Sequence, residues 1–322
     1  MKRTLYLNES EDSPYVKIIQ RLFTKKFTMY SQIIKDFINE ESLPQSYLVD
    51  AEKYFIPLVN LIINKTNQSE TAPIVGISGA QGTGKTSLSE LLEKILKTKD
   101  LNIVKFSIDD FYLTKMERQS LAINVHPLLQ TRGIPGTHDT VLLSEKLDQL
   151  AKPNNNNIIQ VPRFNKASDD RYSEKEWQII QPPADLIIIE GWFIGAPPLD
   201  INSLEEPVNK LEAAEDIDGK WRNFMTKQLE ENYQSIFDQI ELLIFLKAPS
   251  FEQIFEWRNL QETKLRKRVG HSQNLMSKPQ LARFIQHYER LTRHCLRNLP
   301  KKADVVFDLN EKHQIISCLG LD

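Results

Sequence analysis

The amino-acid sequence predicts an α/β fold, in which a five-stranded parallel sheet carries helices on both faces and follows a helical N-terminal extension. Two observations indicate this fold. From residue 74 onward, short β-branched runs alternate with long segments of helical periodicity, the order expected of parallel strands joined by helical crossovers. The runs are also apolar almost throughout, as strands covered on both faces are.

The helical extension comes first in the chain. Apolar side chains recur at helical spacing within residues 14–65. The first such set is Val16, Ile19, Leu22 and Phe23. No glycine occurs before Gly76, which suits uninterrupted helix. We therefore expect residues 1–72 to form a helical extension packed on the core, and residues 73–322 to form the main domain.

The main domain is predicted to alternate strands with helices. The five strands are predicted at residues 74–78, 103–107, 186–190, 242–246 and 305–307. The helices are predicted at residues 85–98, 140–151, 219–239, 250–267 and 278–298. Long polar or proline-containing connections remain at residues 111–138, 153–185 and 195–218. Connections of this length in a compact domain are usually functional or disordered.

Composition narrows the class of partner. The 322 residues include 41 basic and 43 acidic side chains, for a net charge of -2, so the molecule lacks the field that attracts nucleic acid or anionic membrane. Its two cysteines, Cys295 and Cys318, exclude a disulfide framework and fit a reducing compartment. The first residues are acidic and lack an apolar signal core. We expect a cytoplasmic monomer or small homo-oligomer that acts on a small molecule.

The sharpest motif is a phosphate-binding loop. Residues 79–86, GAQGTGKT, match GxxxxGK[ST] between a predicted strand and a predicted helix. Lys85 is expected to reach the β- and γ-phosphates, and the Thr86 hydroxyl to bind Mg²⁺. The predicted ATP-binding residues are Gly79, Ala80, Gln81, Gly82, Thr83, Gly84, Lys85, Thr86 and Ser87. The guanine-recognition motif NKxD and the transporter signature LSGGQ are absent, which favours an ATP-dependent phosphotransferase.

Two further strands end in carboxylates. Asp109 and Asp110 follow the second predicted strand, and Glu190 ends the third. Ligands of open parallel sheets bind beyond these strand ends. Phosphoryl transfer to an alcohol needs one acid that organises the metal and another that takes the hydroxyl proton. Glu190 suits the first role and Asp109 the second, whereas Asp110 is divided evenly between helix capping and support of the site.

Basic side chains in the connections are candidates for binding an anionic acceptor. The predicted acceptor-binding residues are Asp109, Tyr112, Arg132, His138, Arg163, Lys166 and Arg171. Arginine suits bidentate binding of a carboxylate, although any one of these cations could instead serve a surface ion pair. A cationic segment near the end of the helix predicted at 250–267 contains Arg258, Lys264, Arg266, Lys267 and Arg268. It could form a lid, hinged at Gly270, that brings Arg258 over the transferring phosphate. The alternative is a solvated helix face.

Together these motifs resemble the D-glycerate 3-kinases of plants and cyanobacteria. The resemblance covers about residues 55–310 and rests on the phosphate-binding loop, SIDDFY at 107–112, HPLLQTRGIPGTHD at 126–139, PRFNKA at 162–167, EGW at 190–192 and WRNLQE at 257–262. It implies a P-loop kinase fold, shared with uridine kinase, phosphoribulokinase and bacterial pantothenate kinase.

The resemblance also implies a reaction. The γ-phosphoryl group of ATP would pass to the 3-hydroxyl of D-glycerate, with Asp109 as the base. Two alternatives stay open at this point. One is a kinase for another small hydroxylated acceptor, such as pantothenate, a nucleoside or a sugar phosphate. The other is a non-catalytic ATP-binding regulatory protein.

Overall fold

Residues 28–151, 158–269 and 276–321 are described in the structure, a computed structural model. Within them, the side chains of residues 262 and 264–269 are not described. Several predictions lie outside the described residues. These concern the helical set Val16, Ile19, Leu22 and Phe23, the first part of the connection predicted at 153–185, and the hinge at Gly270.

The chain divides into two compact units, residues 1–57 and 58–322. The described part of the first unit is helical, as predicted. It contains α1 (28–40), α2 (Ser46–Asp50) and a π-helical turn over Ala51–Phe55. The rings of Phe37 and Tyr47 lie 6.3 Å apart, and those of Tyr47 and Phe55 lie 5.6 Å apart. An aromatic row therefore ties α1 to the π-helical turn. The predicted division at residue 72, and its packing, stay a prediction.

The second unit is built on a sheet of six strands. The strands of the chain are β1 (Ile74–Gly79), β2 (Ile103–Ser107), β3 (Ile159–Val161), β4 (Phe164–Asn165), β5 (Asp170–Arg171), β6 (Gln178–Ile180), β7 (Leu186–Gly191), β8 (Ile240–Lys247), β9 (Val305–Leu309) and β10 (Ile315–Leu319). The main sheet has the order β10-β9-β8-β1-β7-β2. Strands β3 and β6 form one small antiparallel pair, and β4 and β5 form another.

All five predicted strands are present and pair in parallel. The predicted count of five is wrong by one, since β10 adds an antiparallel edge strand to β9. This strand is hard to recognise from sequence because most of its side chains are not buried, with Ile316 at 65% and Leu319 at 59% exposure. By contrast, β1 is buried along its whole length.

The helices of the second unit surround this sheet. They are α3 (Ile56–Gln68, which begins within the first unit), α4 (Lys85–Leu96), α5 (Lys115–Asn124), α6 (Thr140–Ala151), α7 (Lys210–Glu215), α8 (Lys220–Gln228), α9 (Gln234–Phe237), α10 (Phe251–Val269) and α11 (Lys278–Asn298). The predicted helix 219–239 is interrupted by π-helical turns over Leu229–Tyr233. Helix α5 lies in a predicted connection. Its start was readable from a capping box, in which Thr114 and Glu117 satisfy each other's main chain.

Two features of this fold position the site. The carboxyl ends of β1, β2 and β7 lie at one edge of the sheet, because these strands are parallel neighbours. Helix α11 is fixed by a buried ion pair, in which the Arg290 guanidinium donates to Glu212 at 2.9 and 2.6 Å. This pair joins α11 to α7. Among the described residues, no helix is long and apolar enough to cross a membrane.

Candidate active site

The phosphate-binding loop joins β1 to α4 in a preformed curl. Gly84 caps α4 at a φ of 93°, in the left-handed region that favours glycine. The Thr83 hydroxyl donates to the Ala80 carbonyl at 2.9 Å, and Lys85 Nζ donates to the same carbonyl at 3.0 Å. The lysine thus folds back across the loop mouth. The predicted cradle is formed, with the N-terminal end of α4 behind it.

Lys85 and Thr86 face a carboxylate from the neighbouring strand. The Thr86 hydroxyl lies 2.9 and 3.2 Å from the two carboxylate oxygens of Glu190, at the end of β7. Burial lowers the pKa of Lys85 from its ordinary value, while the charges of Glu190 and Asp109 act in the opposite direction. The structure therefore gathers the two predicted metal ligands and the predicted phosphate-binding cation at one point.

Asp109 lies at the end of β2 with both oxygens engaged. The Tyr112 hydroxyl donates to Oδ1 at 2.7 Å, and Lys166 Nζ donates to Oδ2 at 2.9 Å. Burial alone would raise the pKa of Asp109. The charge of Lys166 and these two hydrogen bonds outweigh burial and hold the pKa below its ordinary value. Asp109 is consequently an ionised carboxylate at the mouth of the cradle.

The carboxylate of Asp110 binds main-chain N–H groups. Its carboxylate accepts the main-chain N–H of Ser107 at 3.1 Å, within a capping box, and that of Phe164 at 3.4 Å. Burial raises its pKa despite these hydrogen bonds. Of the two roles open from sequence, the contacts favour capping. They also join the end of β2 to β4, where the hairpin that carries Lys166 begins.

The connection over residues 131–138 forms one wall of the site. Trp192 Nε1 donates to the Gly133 carbonyl at 2.7 Å, and the Tyr288 hydroxyl donates to the Arg132 carbonyl at 2.8 Å. A Cβ on Gly133, at a φ of 114°, would meet the Tyr288 ring at 2.8 Å. Glycine is therefore required for this close approach. The Arg132 side chain forms an ion pair with Asp169.

Three other predicted acceptor ligands have different surroundings. His138 is buried, its Nδ1 lies 2.8 Å from the Tyr233 hydroxyl, and burial lowers its pKa to about 4. Arg171 donates to the Tyr112 carbonyl at 2.8 Å and contacts Asp139 at 3.3 Å, so it supports Tyr112. Arg163 is exposed and lies over the Tyr172 ring. None of the three lines the cleft beside the phosphate-binding loop.

That cleft has a volume of about 460 Å³. Its predicted lining residues are Gln81, Gly82, Lys85, Thr86, Asp109, Tyr112, Arg132, Lys166, Glu190 and Arg258. Arg258 Nη1 donates to Gln261 at 3.0 Å. The side chains of residues 262 and 264–269 in α10 are not described, so the lid stays a prediction. Phe284 and Tyr288 also line the cleft. Sequence reasoning missed them because both belong to an ordinary amphipathic helix, α11.

A second missed contact lies behind the phosphate-binding loop. The His313 ring stacks on Trp257 with centroids 4.1 Å apart, and its Nε2 lies 2.9 Å from the Gly82 carbonyl. Trp257 Nε1 in turn donates to the Glu311 carbonyl at 2.8 Å. The turn between β9 and β10 therefore braces the loop from outside. The sequence analysis assigned no role to His313, and β10, which follows it, was not predicted.

Known proteins support this assignment. The chain matches the KAP family P-loop domain over residues 53–180. It is 34% identical over 239 residues to mug58, an uncharacterized kinase of Schizosaccharomyces pombe, with 70% of this chain and 82% of that protein covered. It is 28% identical over 282 residues to the chloroplastic D-glycerate 3-kinase of Arabidopsis thaliana, with 82% of this chain and 59% of the plant protein covered.

A solved structure agrees with these relatives. The D-glycerate 3-kinase of Cryptococcus neoformans matches at a TM-score of 0.68 and 25% identity, with 81% of this chain and 97% of that chain covered. The predicted resemblance and fold class are thereby confirmed. The chain belongs to the D-glycerate 3-kinase-like family of P-loop kinases, which makes it an ATP-dependent phosphotransferase with a small-molecule alcohol as acceptor.

Proposed function

We propose that the protein transfers the γ-phosphoryl group of ATP to the 3-hydroxyl of D-glycerate, which gives 3-phosphoglycerate and ADP. One observation carries the acceptor assignment. A single cleft is lined by the ionised carboxylate of Asp109, the phosphate-binding Lys85 and two further cations, Arg132 and Lys166. A small hydroxy acid needs such a set, with a base for its hydroxyl and positive charge for its carboxylate. The two D-glycerate 3-kinases among its relatives support the same acceptor.

Asp109 is the base in this proposal. It takes the proton of the acceptor hydroxyl as that oxygen forms a bond to the γ-phosphorus. The bond between this phosphorus and the β,γ-bridging oxygen breaks, and ADP leaves with the electron pair. Negative charge spreads over the phosphoryl oxygens in such a transfer. Lys85, held across the loop mouth, and Arg258, which also lines the cleft, supply positive charge there.

Thr86 and Glu190 would hold Mg²⁺. Their hydroxyl and carboxylate oxygens lie within 2.9 Å of each other beside the cradle, and oxygen atoms are the ligands that Mg²⁺ prefers. Kinase sites of this type bind the ion through few protein ligands and complete its shell with water and phosphate, so two oxygens suffice. When bound, the ion neutralises phosphate charge.

Arg132 and Lys166 are the proposed ligands of the acceptor carboxylate. Both line the cleft, and Lys166 reaches Asp109 itself. Arg163 and Arg171 are not part of this proposal. The first lies over Tyr172 and the second is committed to Tyr112 and Asp139.

We also propose a cytoplasmic location and a monomer or small homo-oligomer. Cys295 and Cys318 are both free thiols in the structure, which fits a reducing compartment. Fractionation of cells that express the tagged protein, followed by size-exclusion chromatography with light scattering, tests both statements. Recovery in a membrane or organelle fraction, or a large assembly, would contradict them.

Release of ADP with a panel of acceptors tests the reaction. We expect D-glycerate to stimulate ADP release, and glycerol, which lacks the carboxylate, to be a poor substrate. Lys85→Ala should abolish the stimulated rate and keep the fold, which circular dichroism checks. Stronger stimulation by pantothenate, a nucleoside or a sugar phosphate would reassign the acceptor. ATP binding without stimulation by any acceptor would favour a regulatory protein.

A further inference from the structure

The proposed base has a cation directly on it. Lys166 Nζ lies 2.9 Å from Asp109 Oδ2, and the Tyr112 hydroxyl occupies Oδ1. A carboxylate stabilised in this way accepts a proton poorly, since general bases work best with a pKa near the operating pH. An acceptor hydroxyl must also reach an oxygen of Asp109. Lys166 thus lowers the basicity of Asp109 and occupies an acceptor position on Oδ2, so its withdrawal would favour proton transfer to Asp109.

The Lys166 side chain is placed so that it can move while its backbone stays fixed. The side chain is 65% exposed. Its backbone belongs to the turn between β4 and β5, where Asn165 Oδ1 accepts the N–H of Ala167 at 3.0 Å. Arg118, which is 2% exposed, donates to the Asp169 carbonyl at 2.6 Å and so fixes the far end of that turn.

Arg132, the other cation proposed to bind the acceptor carboxylate, is less mobile. Arg132 pairs with Asp169, its guanidinium lies 5.4 Å from the centroid of the Phe164 ring, and its carbonyl accepts from Tyr288. Lys166 thus combines a flexible side chain with a position over the base. The cation of this pair is also accessible to solvent, since Lys166 is 65% exposed while Asp109 is 24% exposed, so water can solvate the ammonium group as it leaves Asp109.

We propose that Lys166 exchanges partners when the acceptor binds, leaving Asp109 for the acceptor carboxylate and so freeing the base for the hydroxyl of the same molecule. This inference rests on the proposed function and adds a basis for specificity. An acceptor without a carboxylate leaves Lys166 on Asp109 and meets a suppressed base. The carboxylate is then required for turnover as well as for binding.

The groups around Asp109 allow its titration to be assigned from a pH profile. Groups that act on it electrostatically or by hydrogen bond include Lys85, Asp110, Tyr112, His138, Lys166 and Tyr288. Three more charged side chains line the same cleft and are unchanged in every variant, namely Arg132, Glu190 and Arg258. Burial holds the pKa of His138 at about 4 and raises that of both tyrosines, so these three stay uncharged near neutral pH. Lys85 and Asp110 are present in every variant used below, whereas the charge at position 166 is the one that changes.

The pH dependence of D-glycerate turnover tests the exchange. The profile of kcat/KM reports the base in the free enzyme, and that of kcat reports it in the complex with substrate. In the wild type we expect the acid limb of kcat to lie at higher pH than that of kcat/KM, because Lys166 leaves Asp109 on binding. Lys166→Arg, the matched control, should keep this separation.

Lys166→Met should remove the separation between the two profiles. The acid limbs of kcat and kcat/KM should both lie at the higher pH. Its KM for D-glycerate should rise on the order of 30-fold or more, the usual effect of losing a charge partner. Its turnover of glycerol should rise above that of the wild type, since Asp109 is no longer paired. Thermal unfolding should show an intact fold, because the substituted side chain is itself mostly exposed.

Coincident acid limbs in the wild type would overturn the exchange, as would a separation that persists in Lys166→Met. Unchanged or reduced glycerol turnover in that variant would also contradict it. Failure of the proposed function looks different. In that case the wild type itself shows no D-glycerate-dependent ADP release. This result would refute both the proposed function and the exchange of Lys166, without any comparison of variants.

Discussion

Adjacent aspartates at the end of β2 offer a matched pair of substitutions with opposite expected effects. Asp109→Asn keeps the size of the side chain and removes its charge and basicity. Asp110→Asn makes the same chemical change one residue away. The structure assigns their contacts to different partners, Tyr112 and Lys166 for Asp109 and two main-chain N–H groups for Asp110.

The expected magnitudes follow from these contacts. Loss of a general base typically lowers the rate by about 10²–10⁴-fold, so Asp109→Asn should lower kcat within that range. Its stability should change by about 1 kcal/mol or less, because Lys166 is largely exposed. Asp110→Asn should lower kcat by less than about 10-fold. It weakens two hydrogen bonds to the main chain, which is worth about 1–3 kcal/mol of unfolding free energy.

Coupled ADP release at saturating D-glycerate and urea unfolding measure the two quantities for both variants. ATP affinity, from isothermal titration calorimetry, should stay within a few-fold of the wild type in each. The reasoning would be refuted by a crippled but stable Asp110→Asn together with a mildly affected Asp109→Asn. That result would make Asp110 the base and Asp109 the cap.

Three more substitutions test other parts of the structure. Glu190→Gln should raise the Mg²⁺ concentration for half-maximal rate by about 10- to 100-fold in a metal titration, as loss of groups around a metal typically does; an unchanged requirement would contradict the proposed metal site. Glu212→Gln should cost about 3–5 kcal/mol in urea unfolding, because it leaves the buried Arg290 without its charge partner; a cost near zero would show that this pair does not fix α11. Since burial lowers the pKa of His138 from 6.5 to about 4, the unfolded chain binds a proton there that the folded chain does not, and stability falls as pH drops from about 6.5 towards 4. His138→Gln should remove up to about 3 kcal/mol of that fall; an equally steep fall in this variant would exclude His138 as its source.

The sequence predicted the convergence of the site because parallel strands impose it. The phosphate-binding loop, Asp109 and Glu190 each follow an apolar run, and the carboxyl ends of parallel strands share one edge of the sheet. That prediction requires only the order of strands and motifs along the chain. The structure adds that β7 lies between β1 and β2, which brings Glu190 to Thr86.

The sequence could not decide which cations of the long connections enter the cleft. Arg163 and Lys166 stand three residues apart, yet Arg163 lies over Tyr172 while Lys166 reaches Asp109. The small β4–β5 hairpin makes this difference, and each of its strands has two residues. Patterns that short have no periodicity to read. From the sequence, Arg171 is an equally good candidate for binding the acceptor. In the structure its guanidinium instead donates to the Tyr112 carbonyl and pairs with Asp139.

The aromatic side chains that line the cleft could not be predicted from the sequence for another reason. Phe284 and Tyr288 are four residues apart on α11, the spacing of any core-facing helix stripe. Only the approach of Tyr288 to Gly133 and Arg132 distinguishes it from a core residue. Tertiary contacts of this kind leave no mark in a single sequence.

The position of the transferred phosphate in the product tests the central claim most directly. Phosphorus NMR of a reaction with D-glycerate, ATP and Mg²⁺ distinguishes the two hydroxyls, since a phosphate on the 3-hydroxyl couples to two methylene protons and one on the 2-hydroxyl couples to a single proton. We predict a signal split by two protons, formed by the wild type and missing with Lys85→Ala and Asp109→Asn. A signal split by one proton, or ATP hydrolysis to inorganic phosphate without a glycerate ester, would contradict the account.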